Sequence, residues 1–154
     1  MVGAPARAAP QTHRQTVYTD VDLTPFGFAP GQLWGEPTFF PCDASLAAQF
    51  EQLLAASTVR CASGTIGTGD AFVRKEMVPS IRQTFNNAVL CVEMESGAIA
   101  HTCSKLAVPC LAVRVLSDVP HSSDENQDEF SQHVDGVMDS LGALLAHFLA
   151  QLTF

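Results

Sequence analysis

Apolar positions along this chain fall into runs whose length and spacing change from stretch to stretch. Ala88 to Val92 and Cys110 to Leu116 are short continuous apolar runs with the branching of buried strands, and each leads into acidic residues. Between them Ile99, Cys103 and Leu106 recur at i, i+4 and i+7, which predicts a helix packed on a sheet through that face. Val89 to Asp118 therefore reads as strand, helix, strand. Ligands collect beyond the carboxyl ends of parallel strands. Glu93, Glu95 and Asp118 thus stand where an α/β protein places its chemistry; for each acid taken alone, a helix cap or a solvated loop residue is the competing reading.

The same patterns organise the rest. Thr16 to Val21 predicts a short strand, and Thr58 to Ile66 another that runs into Gly64, Gly67 and Gly69, glycines placed to let backbone approach a flat ligand. Asp43 is a candidate N-cap for a helix with Leu46, Phe50, Leu53 and Leu54 on one face. Glu76 to Phe85 predicts a helix with Pro79 in its first turn. From Asp128, residues Phe130, Val134, Val137, Met138, Leu141, Leu145, Phe148 and Leu149 predict a long amphipathic helix closing one face of the sheet. Val119 to Gln127 is a polar loop and a candidate lid. The turn-rich stretch Leu23 to Pro41 carries Phe26, Phe28, Leu33, Trp34, Phe39 and Phe40, which either fold back on their own core or form a subunit interface. Residues 1–15 show no sustained period and are expected to be a disordered leader, leaving 16–154 as one domain.

Composition narrows the function classes. A chain of 154 residues with 47% hydrophobic content is long enough to bury a core. Its net charge of -8, with only eight scattered Lys and Arg, argues against nucleic acid or an anionic membrane as partner. No apolar stretch reaches the ~18 residues of a membrane span. The five cysteines are odd in number and lack a C-x-x-C pair, which suits buried thiols in a reducing, cytoplasmic setting. With neither an HExxH spacing nor a Cys/His cluster, no metal site is expected. Gly64 to Gly69 is a weak nucleotide fingerprint, because no Lys-Ser/Thr follows it.

Four segments carry a resemblance to a known family. They are Val-Glu-Met-Glu-Ser-Gly-Ala-Ile-Ala at 92–100, Val-Arg-Val-Leu-Ser-Asp at 113–118, Gly-Thr-Ile-Gly-Thr-Gly-Asp-Ala-Phe-Val at 64–73, and Asp-Val-Asp-Leu-Thr-Pro-Phe-Gly-Phe-Ala-Pro-Gly-Gln at 20–32. Together they resemble the purine and uridine phosphorylase family, most closely its methylthioadenosine/S-adenosylhomocysteine nucleosidase branch. The resemblance runs from about residue 16 to 150 and implies the C-terminal part of a three-layer α/β fold of the nucleoside phosphorylase type, truncated at its N-terminus. It implies a purine nucleoside as ligand, no cofactor, Asp118 as proton donor, Phe72 stacked on the adenine and Val73 reading its edge. Phe26 and Phe28 match residues at the nucleosidase dimer contact, which implies a homodimer; Pro30 and Trp34 depart from that branch.

The residues fit that chemistry on their own terms. Cleaving a purine N-glycosidic bond drives electrons into the departing base, so the site needs an acid that stays protonated near neutral pH. Asp118, following Val113, Val115 and Leu116, is placed for desolvation to favour that form, with Ser117 to orient it. Glu95 suits the ribose hydroxyls and the developing oxocarbenium charge. Met94 offers an apolar floor. Glu93 and Arg114 read as an ion pair bracing the strand ends, in preference to direct contact of Glu93 with substrate. In the nucleosidases a Gly-rich strand and a water-activating glutamate precede the matched region, and residues 1–15 contain no Glu. An impaired nucleosidase, an enzyme completed by a second chain, and a dimerising fragment all remain open, as does phosphorolysis.

Overall fold

The computed structural model describes residues 15–57, 59, 61–116 and 126–152, with helix but not side-chain detail for 126–137 and 140. Four strands, β1 (Gln15–Tyr18), β2 (Phe40–Pro41), β3 (Thr65–Thr68) and β4 (Val89–Glu93), form one sheet in the order β2-β1-β3-β4. β1, β3 and β4 run parallel, while β2 pairs antiparallel with β1. Among the described residues four α-helices accompany them: α1 (Ala44–Ala55), α2 (Val78–Thr84), α3 (Ser96–Lys105) and α4 (Asn126–Gln151). Parallel strands joined through helices leave their carboxyl ends side by side, which is what positions the site.

Local chemistry explains the elements that match expectation. The Asp43 carboxylate accepts the Leu46 N–H at 2.9 Å, capping α1, and the Asp43 N–H donates to the Cys110 carbonyl at 2.7 Å. Phe50 of α1 meets Phe148 of α4 edge to face at 5.1 Å, so two amphipathic helices share one buried aromatic contact. Pro79 lies in the first turn of α2, where its missing N–H costs nothing. α4 starts at Asn126, two residues before the expected Asp128, and Gln15 already belongs to β1. Of the candidate lid at 119–127, residues 119–125 lie outside the described residues, while Asn126 and Gln127 belong to the start of α4 and not to a loop.

Four expectations are corrected. The strand expected over Thr58 to Ile66 is Thr65–Thr68, so Gly67 sits inside β3. A Cβ there would lie 2.6 Å from Thr19 Cγ2 and 3.0 Å from Val89 Cγ1; this glycine makes room for the chain's own side chains, not for a flat ligand. Residues 110–116 carry no regular secondary structure and join no ladder among the described residues. Apolar branching favours a strand, yet a strand exists only beside a partner. In α3 the buried residues are Ser96, Gly97 and Ala100, while Ile99 and Leu106 are exposed. A Cβ at Gly97 would lie 2.8 Å from Thr68 Cβ and 3.1 Å from Tyr18 Cε1, so only a face of small residues can approach the sheet. The aromatic stretch divides: Phe40 is buried at 1% exposure, whereas Phe26 stands 72% exposed, and Trp34, also exposed, leans on Phe28 at 5.0 Å.

Among the described residues no helix is long and apolar enough to cross a membrane, and no group of three or more His, Cys, Asp or Glu could hold a metal ion. All five cysteines are free thiols.

Candidate functional site

The three parallel strands deliver acids at adjacent exits: Asp20 after β1, Asp70 after β3, Glu93 and Glu95 at the end of β4. Backbone and side-chain bonds stitch the exits together. The Thr19 N–H donates to the Thr68 carbonyl at 2.7 Å and the Gly69 N–H to the Glu93 carbonyl at 3.1 Å. Asp20 Oδ2 accepts the Asp70 N–H at 2.6 Å. These bonds hold the strand ends in register beyond the ladder itself.

Glu93 is the centre of this arrangement. Its Oε1 accepts the Thr68 hydroxyl at 2.5 Å; its Oε2 accepts the Ser96 N–H at 2.7 Å, the Glu95 N–H at 3.1 Å, and Arg114 through Nη2 at 2.7 Å and Nε at 3.1 Å. The expected ion pair with Arg114 is therefore present, with the Glu93 side chain only 12% exposed. Burial pushes the Glu93 carboxyl up, but the bonds from Thr68, Arg114 and Ser96 outweigh it and bring it down to about 2. Set just ahead of α3, the charge also favours that helix's N-terminus. Both oxygens are thus engaged within the chain, and Glu93 braces the exit where Glu95 begins.

The other expected site residues stand as follows. Glu95 is exposed, Met94 is exposed beside it, Phe72 is exposed at 73% and Val73 is half-buried. Phe26 and Phe28 lie in the segment between β1 and β2. Ser117 and Asp118 lie outside the described residues; Arg114, four positions before Asp118, is the described residue that ties their segment to β4 through Glu93. Sequence reading passed over Thr68. Its buried hydroxyl donates to Glu93 while accepting the Gly97 N–H at 2.7 Å, linking β3, β4 and α3 in one step. A lone hydroxyl between Gly67 and Gly69 at a strand end was the available signal.

Two further features lie apart from Glu95. At the β1–β2 side, His101 stacks on Phe40 at 4.6 Å, its Nδ1 lies 3.5 Å from the Tyr18 hydroxyl, and its Nε2 lies 3.4 Å from Glu36, which also pairs with Lys105. The bond from Lys105 leads the lowering of the Glu36 carboxyl, and burial, followed by Asp20 and Asp70, raises the Tyr18 phenol. On the β4 side a cavity of about 370 Å³ is bounded by α1, α4, Leu90, Cys91 and residues 111–116. Glu95 and Phe72 do not line it.

Comparison with known proteins places these observations in context. The family profile described as Phosphorylase superfamily matches residues 12–150. Among solved structures, the S-adenosylhomocysteine nucleosidase of Streptococcus pyogenes, crystallised with 5-methylthiotubericidin, is similar at 34% identity over 92% of this chain, with a TM-score of 0.81. The 5'-methylthioadenosine/S-adenosylhomocysteine nucleosidase of Neisseria meningitidis, bound to methylthio-immucillin-A, is similar at 30% identity over 90% of this chain, TM-score 0.81. The futalosine hydrolase of Helicobacter pylori shares 27% identity over 90% of this chain, TM-score 0.78. The matches take in 59%, 60% and 58% of those chains, so this chain spans about three fifths of their length.

Proposed function

Because the chain belongs to the phosphorylase superfamily, we propose that its strand-exit site binds a purine nucleoside and serves cleavage of the N-glycosidic bond with release of adenine, in the manner of a methylthioadenosine/S-adenosylhomocysteine nucleosidase. The observation that carries this reading is the Glu93 clamp, which fixes the β4 exit against β3, α3 and the segment leading to Asp118. Glu95 then faces the ribose, its carboxyl group stabilising positive charge that grows as the bond breaks. Asp118, with Ser117 next to it in the sequence, delivers a proton to the base, making adenine a neutral leaving group. Phe72 stacks on the adenine, Val73 reads its edge through the backbone, and Met94 lies under the sugar. The reaction needs no cofactor, and the free thiols suit a cytoplasmic setting.

Incubation with 5'-methylthioadenosine, with and without phosphate, reads adenine release and separates hydrolysis from phosphorolysis. Asp118→Asn should lower turnover by at least ~100-fold while leaving nucleoside affinity within about tenfold, because a proton donor acts only in the transition state. Equal loss of affinity and turnover would contradict the assignment. The exposed Phe26 and Trp34 favour a second reading, a dimerising chain without turnover, which a concentration-dependent dimer with no nucleoside binding would support.

A further inference from the structure

Three of the five free thiols converge where α3 ends. Cys103 follows Ser96 and Ala100 at i, i+4 and i+7, so it continues the face of α3 that is buried against the sheet. The helix then closes on a left-handed residue: Ala107 takes a φ of 54°, its N–H donates to the Ser104 carbonyl at 3.3 Å, and the Val108 N–H donates to the Cys103 carbonyl at 2.9 Å. With Pro109 next, this cap reverses the chain and returns Cys110 toward the last turn of α3. There the Cys110 carbonyl accepts the Asp43 N–H at 2.7 Å, which brings Cys42 in from the end of β2, while Phe40 of β2 stacks on His101 of α3. The Cys103 and Cys110 thiols hydrogen-bond to each other. Burial, then the charge and hydrogen bond of Cys103, then the charge of Cys42 push the Cys110 thiol up to about 11. Among the described residues no three such donors could hold a metal ion, so the contact is one between two sulfurs.

We propose that Cys103 and Cys110 are a redox-sensitive pair that a low-molecular-weight disulfide converts to an intramolecular disulfide. Cys110 holds its proton near neutral pH, so the first attack falls to Cys103: its thiolate breaks the S–S bond of the oxidant, forms a mixed disulfide and releases one small thiol. That step removes two of the causes that raise Cys110, the charge and the hydrogen bond of Cys103. Cys110 then gives its proton to solvent and attacks the Cys103 sulfur, closing the Cys103–Cys110 bond and expelling the second small thiol. Two electrons leave the protein, one oxidant disulfide is reduced, and its two thiols carry the two protons. The product ties the end of α3 to the segment whose Arg114 grips Glu93, and Glu93 in turn accepts the Ser96 N–H at the start of α3. The proposal concerns thiol chemistry and stands whether or not the nucleoside reading holds.

The test treats the full 154-residue chain with oxidised glutathione at a concentration on the order of 10 mM, blocks the remaining thiols with iodoacetamide, and maps tryptic peptides without reduction by mass spectrometry. Lys105 lies between the two cysteines, so cleavage puts them on separate peptides and the bond is read as a linked pair; fragmentation tells Cys103 from Cys91 on the same peptide. The expected result is a Cys103–Cys110 link in at least about half of the molecules, reversed by dithiothreitol. The linked chain should unfold about 5 °C higher than the reduced chain. Cys110→Ser should trap glutathione on Cys103 and raise that adduct at least ~10-fold over the native chain, because the resolving thiol is gone. Cys42→Ser should leave the link in place. If either variant fails to fold, the map of the unsubstituted chain decides. Absence of the linked pair, a link from Cys110 to Cys42 or Cys91 in its place, or a linked chain that unfolds at a lower temperature than the reduced one overturns the proposal.

Discussion

The two flanks of the sheet are built on opposite terms. At the β1 flank, β2 closes the edge, Phe40 is buried between Tyr18 and His101, and Glu36 and Lys105 seal the outside with charge. At the β4 flank, Leu90 and Leu116 are exposed, a largely apolar cavity opens, and residues 111–116 border it without joining a ladder among the described residues. Between them the strand exits are knitted by Thr68, Glu93 and Arg114. The difference shows where packing is complete and where it is not. One flank contributes packing, the exits contribute fixed charge, and the other flank retains surface that packing has not consumed.

Substitutions can break or sharpen that contrast. The largest loss should come from Phe40→Ala, where removing a fully buried ring destabilises by roughly 3–5 kcal/mol in denaturant unfolding. Glu93→Gln should cost about 2 kcal/mol near neutral pH, since the neutral side chain cannot match five bonds to a carboxylate. The pH dependence follows from the same group. Its ordinary value is 4.5 and its folded value about 2, so its stabilisation is complete above pH 4.5 and is lost as pH falls toward 2. Unfolding midpoints measured across that window should fall for the native chain and stay flatter for Glu93→Gln. Asp43→Ala removes the α1 cap and should cost about 1 kcal/mol. Leu90→Ala, on the open flank, should cost less than about 1 kcal/mol; a loss as large as that of Phe40→Ala would erase the distinction between the flanks.

Much of this organisation is legible in the residues. The run Ala88 to Val92 marks β4, Asp43 marks the start of α1, and the Glu93–Arg114 pair follows from opposite charges in two neighbouring apolar runs. What misled has physical causes. The stripe of Ile99 and Leu106 obeys helical periodicity, but Thr68 and Tyr18 stand so close to α3 that its glycine face must turn inward. Gly67 looks like part of a ligand loop until Thr19 and Val89 are seen to occupy the space a side chain would need. Cys110 to Leu116 has strand composition, and composition does not supply a neighbour to pair with. Thr68 escaped notice because a hydroxyl's importance depends on what it reaches across the sheet, which no local pattern records.

The central claim is that the exits of the parallel strands form a purine nucleoside site with Glu95 at its centre. Isothermal titration of methylthio-immucillin-A, the ligand of the Neisseria meningitidis relative, against the native chain, Glu95→Gln and Leu90→Ala tests it most directly. The account predicts measurable binding to the native chain, at least about tenfold weaker binding to Glu95→Gln, and no change for Leu90→Ala. Absence of binding to the native chain, or equal affinity for it and Glu95→Gln, would contradict the claim.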